Sequence, residues 1–129
     1  MTKEQYAAFQ KRSQMSYELN TGFHCVRRNN TRIRTLEECF LEKVNKKTGL
    51  EKEYWNFYEL IDERKLISAE IISIVGDDPH NYFNLNKDQT VHKTDGTILK
   101  LNLIDRLELF KKLFIQQNEV LNKIYDLAN

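Results

Sequence analysis

Leu107, Phe110, Phe114, Leu121 and Ile124 recur at spacings of three and four, interrupted only by Gln117. That period places them on one side of an α-helix, and Leu113 and Val120 broaden the same face. The spacing predicts a long helix over residues 103–127. At roughly 25 residues it would be about 37 Å long, more than the width of a small domain. One end therefore projects or pairs with another helix. The chain of 129 residues is expected to form a single domain, and with one proline and four glycines little of it is flexible linker.

Other segments carry their own signals. Thr2 and Gln5 have capping-box spacing, which predicts a helix over 3–19 that the "NTG" sequence ends at Gly22. Residues 23–34, "FHCVRRNNTRIR", read as a short protruding hairpin turning at Asn29-Asn30, with a loop as the alternative. Thr35 and Glu38 form a second capping box, followed by Leu36, Phe40 and Val44 on one helix face and a stop at Gly49. Tyr54, Phe57, Tyr58 and Ile61 predict a helix over 51–66, flanked by Trp55 and Leu66. The β-branched run "AEIISIV" reads as a buried strand, and residues 80–89 as a strand or a long loop. Asp95-Gly96, between Val91 and Ile98-Leu99, predicts a β-hairpin. The expectation is an α+β fold with about four helices and a short antiparallel sheet.

Several chemistries find little support. Gly76-Asp77-Asp78 resembles the metal-binding turn of template-dependent polymerases, but a chain this short has no room for the palm that chemistry requires. It reads instead as an ordinary turn. His24, Cys25, Cys39, His80 and His92 lack the paired spacing of a zinc site, so the cysteines read as free thiols. No glycine-rich oxyanion or phosphate loop accompanies a Cys–His pair. The expectation is a protein without catalytic residues, metal or cofactor. No apolar run reaches the roughly 18 residues of a membrane span, and the opening lacks a signal-peptide pattern. A cytoplasmic protein is expected, with its oligomeric state open.

The feature that stands out is the stretch His24–Arg34. It holds Arg27, Arg28, Arg32 and Arg34 and no acid, in a chain of net charge +1. Four guanidinium groups so close repel one another. Arginine binds carboxylates and phosphates bidentately and is weakly hydrated, which suits an interface. The alternative is a solvated rim. Between Glu51 and Glu70 there are six acids against three bases, so the charge is segregated. Such a dipolar surface fits oriented docking on a protein better than coating a nucleic acid, although a local basic patch leaves the second reading open. The aromatics of residues 54–58 sit among acids and read as core, with Trp55 the one placed to anchor a partner.

The length, the mass of 15.4 kDa and the opening "MTKEQYAAFQKRSQMSYELN" resemble the 15 kDa RNA polymerase-binding proteins of T-even bacteriophages. That resemblance implies a non-enzymatic protein made in the host bacterial cytosol, which binds host RNA polymerase and modulates transcription. It supplies no site residues. Inhibition of another host protein fits the same description.

Overall fold

A computed structural model describes residues 2–75 and 87–129. These residues form three helices and one two-stranded antiparallel sheet, in the order helix, helix, hairpin, helix. The α+β expectation holds in a mostly helical form. Three helices rather than about four appear among the described residues, because the first two expected helices and the basic segment between them are one.

That helix, α1, spans Lys3–Lys46, 44 residues and about 66 Å. Its start follows the capping box: the Gln5 amide donates to Thr2 Oγ1 at 3.1 Å and the Thr2 amide to Gln5 Oε1 at 2.9 Å. No break follows at Gly22, no hairpin forms at residues 23–34, and Thr35 and Glu38 cap nothing. Leu19, Val26, Ile33 and Phe40 explain the difference. They are buried at every seventh position, two helical turns apart, with Met15 and Leu36 packed beside them. Burying this seam outweighs the helix penalties of Gly22 and the two asparagines, each at most about 1 kcal/mol.

Gly22 has a positive role. A Cβ at this position would overlap the ring of Phe110, itself buried. Glycine to alanine inside a helix ordinarily stabilises by roughly 0.5–1 kcal/mol. Here overpacking, at about 1–3 kcal/mol, reverses the sign. Thermal melting of Gly22→Ala is expected to show a lower midpoint than the wild type.

Helix α2 spans Glu51–Val75. It is longer than the expected 51–66, and "AEIISIV" is its last two turns rather than a strand. Ile67, Ile71, Ile74 and Val75 continue the buried stripe of Phe57 and Ile61. Packing at helical spacing overrides the β preference of the isoleucines. The segment 76–80 with the Gly-Asp-Asp turn, and nearly all of the expected strand or loop at 80–89, lie outside the described residues.

The hairpin is where the sequence places it. Strand β1, Gln89–His92, pairs with β2, Ile98–Leu101, with Val91 opposite Leu99. The turn is longer than a two-residue Asp-Gly turn. The Gly96 amide donates to Lys93 O and the Lys93 amide to Thr97 O, and Gly96 alone in the turn takes a positive φ, of 90°. Hydrogen bonds from Thr97 hold the exposed Asp95 carboxyl below its ordinary range. Two side chains of α2 fasten the hairpin: Ser73 Oγ accepts from the His92 amide at 2.6 Å and Glu70 Oε1 from the Thr94 amide at 3.0 Å.

The last helix, α3, spans Leu103–Ala128 and is capped by Asn102, whose side chain accepts from the Asp105 amide at 2.9 Å. Gln117 does not interrupt its core face. It is fully buried and donates to Ser68 Oγ at 2.7 Å. Arg106 is buried as well, and its guanidinium closes the C-terminus of α2. Nε donates to Ile74 O at 2.8 Å, Nη2 to Val75 O at 3.2 Å and Nη1 to Lys87 O at 2.9 Å. A cation at the negative end of a helix dipole, with its planar donors on the last carbonyls, is a favourable arrangement.

The helices form a three-membered bundle. Lys111 lies 3.9 Å from Glu18 and Lys43 Nζ donates to Leu127 O at 3.1 Å, so α1 and α3 run parallel. Tyr58 donates to Glu37 at 3.0 Å and Phe57 stacks on Phe40 at 4.1 Å, while Arg64 reaches Asn30, so α2 runs antiparallel to α1. Because α1 is far longer than α3, its first turns extend past the bundle, and residues 3–14 are all exposed.

Candidate functional site

The four arginines sit in the middle of α1 and all four are exposed. Helical geometry regroups them. On a hairpin Arg32 and Arg34 would share a face. On the helix Arg27 pairs with Arg34, seven residues away, and Arg28 with Arg32, four residues away. The first pair borders the groove against α2 and the second leans towards α3. Among the described residues none of the four forms an ion pair with a carboxylate. Arg27 instead lies 6.0 Å from the centre of the Phe23 ring, a cation–π distance. The charge is thus available to a partner.

Each flank has distinct surroundings. Arg32, with Thr35 and Leu36 of α1 and Leu121, Asn122 and Tyr125 of α3, lines a cavity of about 420 Å³. On the other flank Asn30 lies between Arg27 and Arg34, and its Oδ1 accepts from Nη2 of Arg64. Arg64 is only 6% exposed, and its Nε–H is buried without an acceptor among the described residues. Burial pulls Arg64 below its ordinary pKa. Sequence reasoning passed over it, although a signal existed: Arg64 stands seven residues after Phe57 and three after Ile61, on the apolar stripe itself.

Trp55 is 66% exposed, edge-on to Tyr54 with ring centres 5.5 Å apart. It shares a cavity of about 380 Å³ with Val44, Leu50 and Tyr54 at the turn between α1 and α2. Val44 is ten residues beyond Arg34, about 15 Å along the helix. Trp55 and the arginines therefore do not form one compact site. The other aromatics of this stretch are core elements: Phe57 is buried, and Tyr54 and Tyr58 pack with it around Phe40.

Burial, and then the hydrogen bond to Glu37, push the Tyr58 hydroxyl up to about 12. A raised folded-state pKa means stability that is complete below pH 10 and disappears as pH rises towards 12. Tyr58→Phe is expected to abolish this part of the alkaline decline, read as the difference between the two proteins in urea unfolding across that range.

Cys25 and Cys39 are free thiols on α1. No group of three or more His, Cys, Asp or Glu side chains that could hold a metal occurs among the described residues, and no described helix is long and apolar enough to cross a membrane. No protein-family model, curated protein or solved structure matches the chain.

Proposed function

We propose that the protein is a non-enzymatic docking protein that grips an acidic surface of a larger protein through the arginines of α1. The observation that carries this reading is the exposure of Arg27, Arg28, Arg32 and Arg34 without a carboxylate partner among the described residues. Host RNA polymerase is the leading partner, on the resemblance of the chain to phage polymerase-binding proteins, and modulation of transcription is the corresponding role. Trp55 supplies a separate apolar contact at the far end of α1.

The test is capture of purified host RNA polymerase by Arg32→Glu, Arg34→Glu double variant and wild type. Because these two arginines lie on different flanks of the helix, the double variant weakens both, and a loss of about tenfold or more is expected if either is desolvated on binding. Unchanged capture would count against α1 as the docking element.

One observation favours a second reading. Tyr6, Phe9 and Tyr17 are exposed on the same helix as the arginines, and aromatics alternating with bases suit single-stranded nucleic acid. That reading predicts affinity for bare DNA or RNA that falls steeply with salt. Absence of retention at low salt eliminates it.

A further inference from the structure

The groove between α1 and α2 holds a guanidinium that the bundle leaves incompletely satisfied. Arg64 projects from the core stripe of α2 and is almost wholly removed from solvent, yet among the described residues no carboxylate balances it. Its one hydrogen-bond acceptor there is the neutral amide oxygen of Asn30, bound to Nη2. The adjacent Nε–H, on the same edge of the guanidinium, is buried with no acceptor among the described residues. An arginine edge offers two parallel donors that match the two oxygens of a carboxylate. Asn30 fills half of that edge. A buried, unpaired charge is costly, and in native proteins it ordinarily has a partner.

The surroundings concentrate positive charge at this point. Arg27 and Arg34 are three residues before and four residues after Asn30, so both stand on its face of α1, one turn to either side. Both are exposed, and neither forms an ion pair with an acid among the described residues. From Arg27 to Arg34 the patch runs about 10 Å along the helix. It is closed by Glu37, which accepts from Tyr58, and by its neighbour Glu38.

We propose that Arg64 is the buried anchor of an oxyanion site in the α1–α2 groove, rimmed by Arg27 and Arg34, and that its occupant is an acidic side chain of the protein partner. The inference rests on the docking reading above and names where the decisive contact is made. The incoming carboxylate displaces the Asn30 amide and takes Nε–H and Nη2–H together. The exposed rim arginines steer the approach, and the desolvated contact sets the lifetime of the complex. A carboxylate fits better than a phosphate backbone because the patch is short. A nucleic-acid strand carries a charge about every 3.4 Å and would run from the patch into Glu37 and Glu38.

The test follows the Arg64 Nε–H resonance by NMR in the full chain during titration with a hexaglutamate peptide, and separately with a short DNA duplex. Hexaglutamate is expected to shift this resonance and to slow its hydrogen exchange by about tenfold or more. Arg64→Met is expected to weaken the peptide by at least about tenfold. Arg64→Lys, which keeps the charge but lacks the fork, is expected to recover only part of the loss, and circular dichroism establishes that both variants are folded. A resonance that stays fixed while those of Arg27 and Arg34 shift overturns the proposal, as does a shift produced by the duplex and not by the peptide. The two levels separate with polymerase as the probe. Capture kept by Arg64→Met but lost by the Arg32→Glu, Arg34→Glu variant overturns the groove alone. Capture kept by both removes the docking reading too.

Discussion

Arg106→Ala is expected to lower the unfolding free energy by about 3–5 kcal/mol, a large share of what a domain this size possesses. The side chain is fully buried and its three nitrogens each hold a backbone carbonyl, two at the end of α2 and one at Lys87. Hydrogen bonds from a charged donor contribute about 1.5–3 kcal/mol each, and they are not additive. Truncation also opens a cavity where the fully buried side chain sat, between the end of α2 and Lys87. Burial lowers the Arg106 pKa, and Asp88 nearby opposes that effect, yet a guanidinium stays charged at any pH the fold survives. Arg106→Lys is expected to recover only part of the loss, since an ammonium cannot reach three carbonyls in one plane. Lys111→Ala, which removes only an exposed pairing with Glu18, is expected to shift stability by less than about 1 kcal/mol. Urea unfolding of the three variants gives the comparison.

The fold was legible where a single segment carries its own instruction. The Thr2–Gln5 capping box, the Asp95-Gly96 hairpin and the periodic C-terminal helix each appear where local chemistry places them. The misreadings share one cause. Gly22 and Asn29-Asn30 look like breaks because glycine and asparagine favour turns in isolation. In the bundle Gly22 makes room for Phe110, Asn29 is buried and Asn30 meets Arg64. The seven-residue spacing of Leu19, Val26, Ile33 and Phe40 is present in the sequence, but the intervening arginines and asparagines carry local turn and surface signals that mask it. "AEIISIV" differs for the same reason, because Ile71 and Ile74 are placed in the core of the bundle while Ile72 stays exposed. Polar residues in the core, Arg64, Arg106 and Gln117, are positioned by partners dozens of residues away. The arginine island itself was visible, but its division into two flanks depends on its being helical.

That division makes the second large effect predictable. Reversing all four charges, in Arg27→Glu, Arg28→Glu, Arg32→Glu and Arg34→Glu together, removes the attraction on both flanks and adds repulsion against an acidic partner. The four side chains are exposed and no carboxylate among the described residues depends on them, so the bundle should remain folded, with the circular dichroism of the wild type. One desolvated contact contributes about 2–5 kcal/mol, and like-charge juxtaposition costs several more. The association constant should therefore fall by about a thousandfold or more. The rate of association should also lose most of its dependence on ionic strength, because steering by the exposed arginines disappears.

The most direct measurement is surface plasmon resonance of the wild type and this four-fold variant over immobilised host RNA polymerase at low and physiological salt. A salt-sensitive wild-type complex and a folded variant with no measurable binding is the predicted result. A variant that binds with wild-type affinity and the same response to salt would contradict the arginine face of α1 as the docking surface.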